Sequence, residues 1–245
     1  MIFLRSIIFF LWFAVMSAVI NIAALPALLL PRRVTVWVSR NWSRLTLWGL
    51  RVFCGLRYEV RGAPPPPGTL IASKHMSMWD TVALYLLIDD PAVVLKRQLL
   101  WVPFYGWYVW KAGSIAIDRD GGASSLRKMA AASLAVIAKG RSIMIFPEGT
   151  RKLPGTAPDY KPGVAGLYTQ LNVPCVPVAL NSALFWSGPA GFLKKPGKIV
   201  VEYLEPIPPG MPRKEFMALL QARIEAATAR LVAEGRALLA SEGLA

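Results

Sequence analysis

The amino-acid sequence predicts an α/β fold, a mixed sheet flanked by helices, behind an N-terminal region of two helices. Two observations carry this prediction. Short apolar runs alternate with stretches of helical periodicity through the C-terminal three quarters of the chain, and long helical patterns occupy the first sixty residues. At 245 residues the chain suits one domain of catalytic size with a modest appendage.

Composition indicates contact with something other than water. Hydrophobic residues make up 55% of the chain, which excludes disorder. Charged residues make up only 17%, against roughly 25% in typical soluble proteins, so part of the surface is expected to face something other than water. The chain has 28 Lys and Arg against 14 Asp and Glu, a net charge of +14. Such an excess suits nucleic acid, anionic lipid or a phosphorylated substrate. Half of it lies in residues 1–62, which hold eight Arg, no Lys and one Glu.

Cysteine and histidine are scarce. Cys54 and Cys175 lie far apart in sequence, and His75 is the single histidine. No paired ligand spacing is present, so no metal site is predicted. One possible disulfide would be a poor framework for this length, which favours a reducing compartment.

The first predicted helix is uncharged over residues 6–30 and is flanked by arginines. A helix of 25 residues reaches about 37 Å, enough to span a bilayer. Asn21 and Pro26 weaken its C-terminal third, so a tilted, kinked or half-inserted helix is the alternative. A cleaved signal peptide is a further alternative, although the long run and the following arginine pair favour an uncleaved anchor.

The second predicted helix is amphipathic. At about 100° per residue, one side collects four arginines: Arg33, Arg40, Arg44 and Arg51. The opposite side collects Val34, Val38, Trp42, Leu45, Val52, Phe53 and Leu56. Trp37 and Trp48 fall between the two sides, where indole rings favour lipid headgroups. This pattern indicates an interfacial helix; a helix packed on the domain with a solvated Arg face is the alternative.

A proline-rich spacer, 63–68, ends this region and sets the predicted boundary between a membrane-anchoring region, 1–62, and an α/β domain, 63–245. Six strands are predicted after it, at 69–73, 92–96, 114–117, 142–146, 173–180 and 198–204. Five helices are predicted between and after them, at 79–88, 98–111, 124–139, 161–171 and 213–241.

His75 follows the first of these strands, and Asp80 comes five residues later. Ligands usually bind at the carboxyl ends of strands in such sheets. A turn between the two residues would let Asp80 accept a hydrogen bond from one ring nitrogen while the other nitrogen takes a proton from a hydroxyl. A histidine that merely caps the next helix is the alternative.

A second candidate is the loop 146–151, which leaves the strand over 142–146. Gly149 permits a turn that exposes backbone N–H groups beside Arg151, a plausible clamp for a phosphate or carboxylate. A simple loop salt bridge between Glu148 and Arg151 is the alternative.

Arg119 is a third candidate, just past the end of another strand, where a solvated charge is the alternative. The three candidates could share one crevice. No Gly-rich dinucleotide fingerprint, Walker sequence or serine nucleophile elbow is present. No nucleic-acid module accompanies the basic excess, so nucleic acid is not an expected partner.

Taken together, these motifs resemble the glycerolipid acyltransferase family, in particular its lysophosphatidic acid acyltransferases. His75 to Asp80 matches the H-x4-D motif, and the segments 113–119, 146–151 and 176–179 are similar to the second, third and fourth motifs, in order. Lys74 departs from the small or polar residue that many members have before the histidine.

The resemblance implies that His75 deprotonates the free hydroxyl of 1-acyl-glycerol-3-phosphate, which attacks an acyl thioester and gives phosphatidic acid. Asp80 would assist His75. The acceptor phosphate site would comprise Arg119, Glu148, Gly149, Thr150 and Arg151. Acyl-CoA or acyl carrier protein would be a co-substrate, with no cofactor, and membrane phospholipids would be partners at the cytoplasmic face of the inner membrane.

Two alternatives stay open from the sequence. The acceptor could be another lysolipid, such as a lyso-ornithine lipid, which lacks glycerol phosphate. The chain could also be a non-catalytic module that reads anionic lipid through its Arg face, although intact His75 and Asp80 argue against it.

Overall fold

The protein contains a seven-stranded sheet in the order β1-β7-β6-β2-β5-β3-β4. The computed structural model describes residues 1–118, 121–186, 191–241 and 243. The strands are β1 (Leu56–Arg61), β2 (Leu70–Ser73), β3 (Ala92–Lys96), β4 (Ile115–Ile117), β5 (Ile143–Ile145), β6 (Cys175–Leu180) and β7 (Gly197–Tyr203). β6 and β7 are antiparallel, and the other neighbouring pairs are parallel. The predicted mixed α/β sheet is confirmed.

Seven α-helices accompany the sheet: α1 (Ile2–Ala23), α2 (Arg32–Cys54), α3 (Met78–Leu87), α4 (Tyr105–Lys111), α5 (Gly122–Ile137), α6 (Gly163–Leu171) and α7 (Arg213–Ser241), as far as the described residues show. Short 3₁₀ helices lie at Leu25–Leu28, Arg97–Trp101 and Ser182–Leu184. The helix predicted over 98–111 is divided, because a tight turn separates its 3₁₀ part from α4.

The central strands are covered on both faces. β2, β5 and β6 are buried along their whole length. Successive residues point to opposite faces, so Ile71 and Met144 join a core with α2 and α3, whereas Leu70 and Ile143 join a core with α5, α6 and α7. Burial on both faces explains why these strands read as unbroken apolar runs.

β1 differs from the sequence prediction, which placed Leu56 on the apolar side of the second helix. α2 ends at Cys54 because Gly55 takes a left-handed conformation, with φ of 69°, that ends the helix. Leu56–Arg61 then pairs in parallel with β7. The boundary placed at residue 62 thus leaves on the anchor side a strand that belongs to the sheet.

α1 and α2 form an antiparallel pair. Trp12 covers Gly49, where an added Cβ would lie 2.2 Å from the indole ring, so only glycine permits this approach. Trp42 Nε1 donates a hydrogen bond to Ser17 Oγ at 2.9 Å. The pair is therefore closely packed along its length.

Both ends of α1 are attached to the rest of the protein. Near its start, Ser6 Oγ accepts a hydrogen bond from the Lys194 backbone N–H at 2.9 Å. Near its end, the Asn21 carbonyl accepts one from the Tyr108 hydroxyl at 2.9 Å. α1 is long and apolar enough to cross a membrane by length and composition, yet these contacts place it along the surface of the domain.

α2 has features of both interpretations that the sequence left open, an interfacial helix and a helix packed on the domain. Arg40 donates hydrogen bonds to the carbonyls of Leu86 and Ile88, so part of the predicted Arg face binds α3. The outward stripe mixes arginine and tryptophan: Arg33, Trp37, Arg44, Trp48 and Arg51 are exposed. The buried side is rotated from the predicted one and consists of Thr35, Val36, Ser43, Thr46, Leu47, Gly49, Leu50 and Cys54. Two small residues on this side, Gly49 and Cys54, contact α1 directly, at Trp12 and at the Arg5 carbonyl.

Candidate active site

The carboxyl end of β2 leads directly into the start of α3, and this junction carries the predicted pair. Ser77 caps α3, its hydroxyl accepting the Trp79 N–H at 3.2 Å, and Asp80 completes a capping box. The turn brings His75 Nδ1 within 3.0 Å of Asp80 Oδ2. The predicted contact between His75 and Asp80, which requires a turn between the two residues, is therefore present.

Asp80 is fully buried and accepts hydrogen bonds at both oxygens. Oδ2 accepts the backbone N–H groups of Met76 at 2.6 Å and Ser77 at 2.8 Å, and Oδ1 accepts the Ser182 hydroxyl at 2.5 Å. A carboxylate surrounded by donors is an acceptor only, so the His75 proton sits on Nδ1 and Nε2 is left as a base. Sequence reasoning missed Ser182, which follows β6, the strand beside β2.

His75 lines a cavity of about 930 Å³. Its apolar lining comes from α1, α2, α3, β3, α4 and α5, with side chains such as Phe13, Trp42, Val82 and Met129. Its polar lining includes Gly149, Thr150, Arg151 and Lys161 from the chain that follows β5. An apolar cavity with a few polar groups suits a ligand with a long apolar part and a polar end.

The loop after β5 is tied to the His75 turn in two places. The Glu148 carboxylate accepts the His75 backbone N–H at 3.2 Å, and the Lys152 N–H donates to the His75 carbonyl at 2.9 Å. Gly149 has a φ of 66°, which favours glycine. Because β2 and β5 are parallel neighbours, their carboxyl ends place the predicted base and the predicted phosphate loop side by side.

Glu148 does not line the cavity. Its side chain is fully buried, and its partner is Lys74 Nζ at 2.7 Å, in place of the predicted alternative partner Arg151. Glu148 therefore holds the loop against the His75 turn. In the sequence Lys74 is only a departure from the family pattern, whereas in the structure it is the buried counter-ion of Glu148.

Lys74 also reaches α7. Its ammonium group, on a side chain only 3% exposed, donates to Glu225 Oε1 at 2.8 Å, and the Tyr160 hydroxyl donates to the same oxygen at 2.9 Å. Burial, together with the negative charge of Glu225, raises the pKa of Tyr160, so the hydroxyl remains a donor. This network joins β2, the loop before α6 and α7 beneath the candidate site.

Arg151 lies in the cavity wall near Tyr105 at the start of α4. Burial raises the pKa of Tyr105, and the positive charge of Arg151 opposes that rise. Arg119, the third candidate, lies outside the described residues, although Asp118 before it lines the same cavity. Among the described residues, no three His, Cys, Asp or Glu side chains lie where they could hold a metal ion.

His75, held by the buried carboxylate of Asp80, opens onto a large apolar cavity, an arrangement that can take up a proton from the hydroxyl of an amphipathic ligand. The chain belongs to the acyltransferase family, whose model matches residues 57–181 and so takes in both strand-end motifs. The resemblance seen in the sequence is confirmed at the level of this family.

Named relatives agree with this placement. The 1-acyl-sn-glycerol-3-phosphate acyltransferase of Pseudomonas aeruginosa is 39% identical over 167 residues, covering 67% of this chain and 65% of that protein. The alpha form of the mouse enzyme is 32% identical over 169 residues, covering 67% and 59%. The chain thus spans somewhat less than two thirds of these relatives. The Salmonella typhimurium enzyme is 26% identical over 206 residues, covering 83% and 82%.

The fold has a solved counterpart. The crystal structure of the 1-acyl-sn-glycerophosphate acyltransferase of Thermotoga maritima aligns with a TM-score of 0.74 over 94% of this chain and 99% of that chain, at 18% identity. The likeness extends over nearly the whole of both chains, and it supports the architecture described above.

Proposed function

We propose that this protein transfers an acyl chain from an acyl thioester to the free hydroxyl of 1-acyl-glycerol-3-phosphate, giving phosphatidic acid. The carrier of the thioester is CoA or acyl carrier protein. The observation that carries the proposal is the His75–Asp80 pair, which opens onto an apolar cavity beside Arg151. The activities named for the Pseudomonas and mouse relatives support it.

The chemistry follows from the hydrogen bonds of His75. Nε2 takes the proton of the acceptor hydroxyl as its oxygen attacks the thioester carbonyl. Asp80 accepts Nδ1–H and stabilises the protonated ring. The new C–O bond forms, the C–S bond breaks, and the imidazolium returns the proton to the leaving thiolate. No acyl-enzyme intermediate is needed, and base catalysis of this kind contributes roughly 10²- to 10⁴-fold.

The acceptor phosphate is assigned to Gly149, Thr150 and Arg151, with Arg119 as a second guanidinium. A guanidinium binds phosphate oxygens through paired hydrogen bonds. Glu148 supports this site from behind through Lys74 and the His75 backbone. A carboxylate turned away from the phosphate avoids the repulsion that direct contact would cause.

The N-terminal helices are assigned to the membrane surface. Large apolar side chains of α1 are exposed: Phe3, Leu4, Ile8, Phe10, Leu11, Val15, Val19 and Ile22. Because both ends of α1 bind the domain, we place α1 within one leaflet, beside the Arg and Trp stripe of α2, and not across the bilayer. The part of residues 1–62 that precedes β1 then acts as the anchoring region, at the cytoplasmic face of the inner membrane.

A direct test uses purified protein, a radiolabelled acyl donor and a panel of lysolipids in vesicles. The panel contains lysophosphatidic acid, lysophosphatidylcholine and a lyso-ornithine lipid, each with acyl-CoA and with acyl carrier protein. We expect phosphatidic acid as the main product. Preference for the aminolipid would overturn the acceptor, and vesicle binding without any acyl transfer would indicate a non-catalytic lipid-binding module.

A further inference from the structure

The segment between β3 and the end of α4 presents large apolar side chains to solvent. None of the residues of the 3₁₀ helix Arg97–Trp101 is buried. Trp101 is 79% exposed and Trp110 is 69% exposed. We call the exposed set Leu99, Trp101, Val102, Trp107 and Trp110 the aromatic ledge. An exposed apolar group of this size in one place marks an interaction surface.

The ledge is held in place by its backbone. Phe104 has a φ of 60° and a ψ of −62°, and the Tyr105 N–H donates to the Pro103 carbonyl at 2.7 Å, which closes a γ-turn. A bulky residue adopts this conformation at a cost in free energy, which persists where the surroundings enforce it. Gly106 packs on Leu100, whose carbonyl oxygen would lie 2.1 Å from an added Cβ. The γ-turn at Phe104 and the close packing of Gly106 therefore fix the backbone that holds the tryptophans in their exposed positions.

The ledge is continuous with the C-terminal end of α1. A groove of about 450 Å³ lies between Leu28, which follows α1, and ledge residues that include Trp101, Trp107 and Trp110. The hydrogen bond from the Tyr108 hydroxyl to the Asn21 carbonyl joins α4 to the last turn of α1. The ledge and the exposed side of α1 therefore meet at one apolar surface.

Residues 91–117, which carry the ledge, contain Lys96, Arg97 and Lys111 and no Asp or Glu. The acids that flank this segment are engaged elsewhere: Asp90 is ion-paired with Arg32, and Asp118 lines the reaction cavity. Basic side chains next to tryptophan rings suit the phosphate level of an anionic bilayer. The other side of α4 faces the reaction cavity through Tyr105, which lines it. Seating the ledge in lipid would therefore bring a wall of the cavity to the membrane.

We propose that the aromatic ledge is a second membrane-insertion element, which enters the interface of an anionic bilayer beside α1 and orients the reaction cavity towards the lipid. The proposal rests on the membrane seating of α1 given above. It differs from that seating because the ledge belongs to the connection between β3 and α4, outside the N-terminal region. An acidic carrier protein or a second copy of this chain are the competing occupants.

The first test places an environment-sensitive fluorophore on the ledge. The native cysteines are free and buried, so a label can be directed to Val102→Cys. Val15→Cys on α1 is the reference, and Leu134→Cys on α5, 46% exposed in the native protein, is the control. With vesicles of phosphatidylcholine and phosphatidylglycerol, we expect blue-shifted emission at positions 102 and 15 and none at 134.

The outcomes separate the two proposals. A shift at position 15 without one at 102 overturns the ledge and leaves the seating of α1 intact. No shift at either position overturns both. A shift at 134 equal to that at 102 would mean non-specific adsorption and would also overturn the ledge.

The second test removes the aromatic rings with the pair Trp101→Ser and Trp110→Ser, with Leu134→Ser as the matched control. Both tryptophans are highly exposed, so the fold should persist. We expect the affinity for anionic vesicles to fall by roughly tenfold or more, while acyl transfer to lysophosphatidic acid in detergent micelles is unchanged. Unchanged vesicle affinity with weaker use of acyl carrier protein, or loss of a dimer, would overturn the proposal in favour of a protein partner.

Discussion

Replacing Asp80 by asparagine removes the negative charge beside His75 while keeping the shape of the side chain. The amide oxygen can occupy the Oδ2 position and continue to accept His75 Nδ1–H and the N–H groups of Met76 and Ser77. The amide NH₂ group then meets the Ser182 hydroxyl, which can accept as well as donate. The tautomer of His75 and the cap of α3 should therefore survive.

The charge itself is then the quantity under test. A hydrogen bond to a charged group contributes about 1.5–3 kcal/mol, against about 0.5–1.5 kcal/mol for a neutral one. Because Asp80→Asn keeps a neutral hydrogen bond, the stabilisation of the imidazolium that is lost is the difference, about 1–1.5 kcal/mol, which corresponds to a kcat lower by roughly fivefold to thirteenfold. Asp80→Ala should do more, because it also leaves two buried N–H groups unpaired at about 1–3 kcal/mol each, which lowers the free energy of unfolding.

The assay is kcat at saturating lysophosphatidic acid and acyl donor in one micelle system, together with Tm by circular dichroism. Asp80→Asn should keep a near-native Tm, and Asp80→Ala should not. In a His75→Ala background, Asp80→Asn should cause no further loss, since residues that act as a unit are non-additive. A kcat for Asp80→Asn within about threefold of the native value would refute the role of the charge.

Lys74→Met should lower the free energy of unfolding by about 3–5 kcal/mol, because it leaves the Glu148 carboxylate buried without a counter-ion; adding Glu148→Gln should restore most of that loss in chemical denaturation, and no recovery would contradict the pairing. Arg151→Ala should lower kcat/KM for lysophosphatidic acid by roughly tenfold to a hundredfold, and Arg151→Lys should recover part of it; an equal loss with a lyso-ornithine lipid, which carries no phosphate, would exclude a phosphate contact. Burial raises the pKa of Cys54 to about 11 and raises the pKa of Cys175 as well, so the native protein should not react with a thiol reagent at pH 8, whereas unfolding should release both thiols. Because unfolded thiols ionise first, these groups make stability fall as pH rises above about 9, and rapid labelling of the native protein would contradict their burial.

Much of the fold could be predicted because its signals are local. β2 and β5 are unbroken apolar runs, and α5 and α7 carry helical periodicity over many residues. β1 escaped prediction although Leu56, Tyr58 and Val60 alternate with charged residues as in a half-buried strand, because the helical pattern of α2 runs up to it. A single residue, Gly55, separates it from α2.

The candidate site likewise has a part that the sequence predicts and a part that it does not. The contact between His75 and Asp80 could be predicted, because five residues and a strand-to-helix junction define it. The partners around it could not be predicted: Ser182, which binds Asp80, and Glu225, which binds Lys74, lie more than a hundred residues away in sequence. The buried pair of Lys74 and Glu148 depends on the parallel neighbours β2 and β5, which sequence spacing alone does not reveal.

In the proposed mechanism, Nε2 of His75 is the base for acyl transfer to lysophosphatidic acid. Its role can be measured as kcat for phosphatidic acid formation by the native protein and by His75→Ala, in the same micelles and with the same acyl donor. We expect product from the native protein and a kcat lower by roughly 10²- to 10⁴-fold in the variant, with vesicle binding unchanged. Retention of more than about a tenth of the native kcat by a folded His75→Ala variant, or no phosphatidic acid from the native protein, would contradict it.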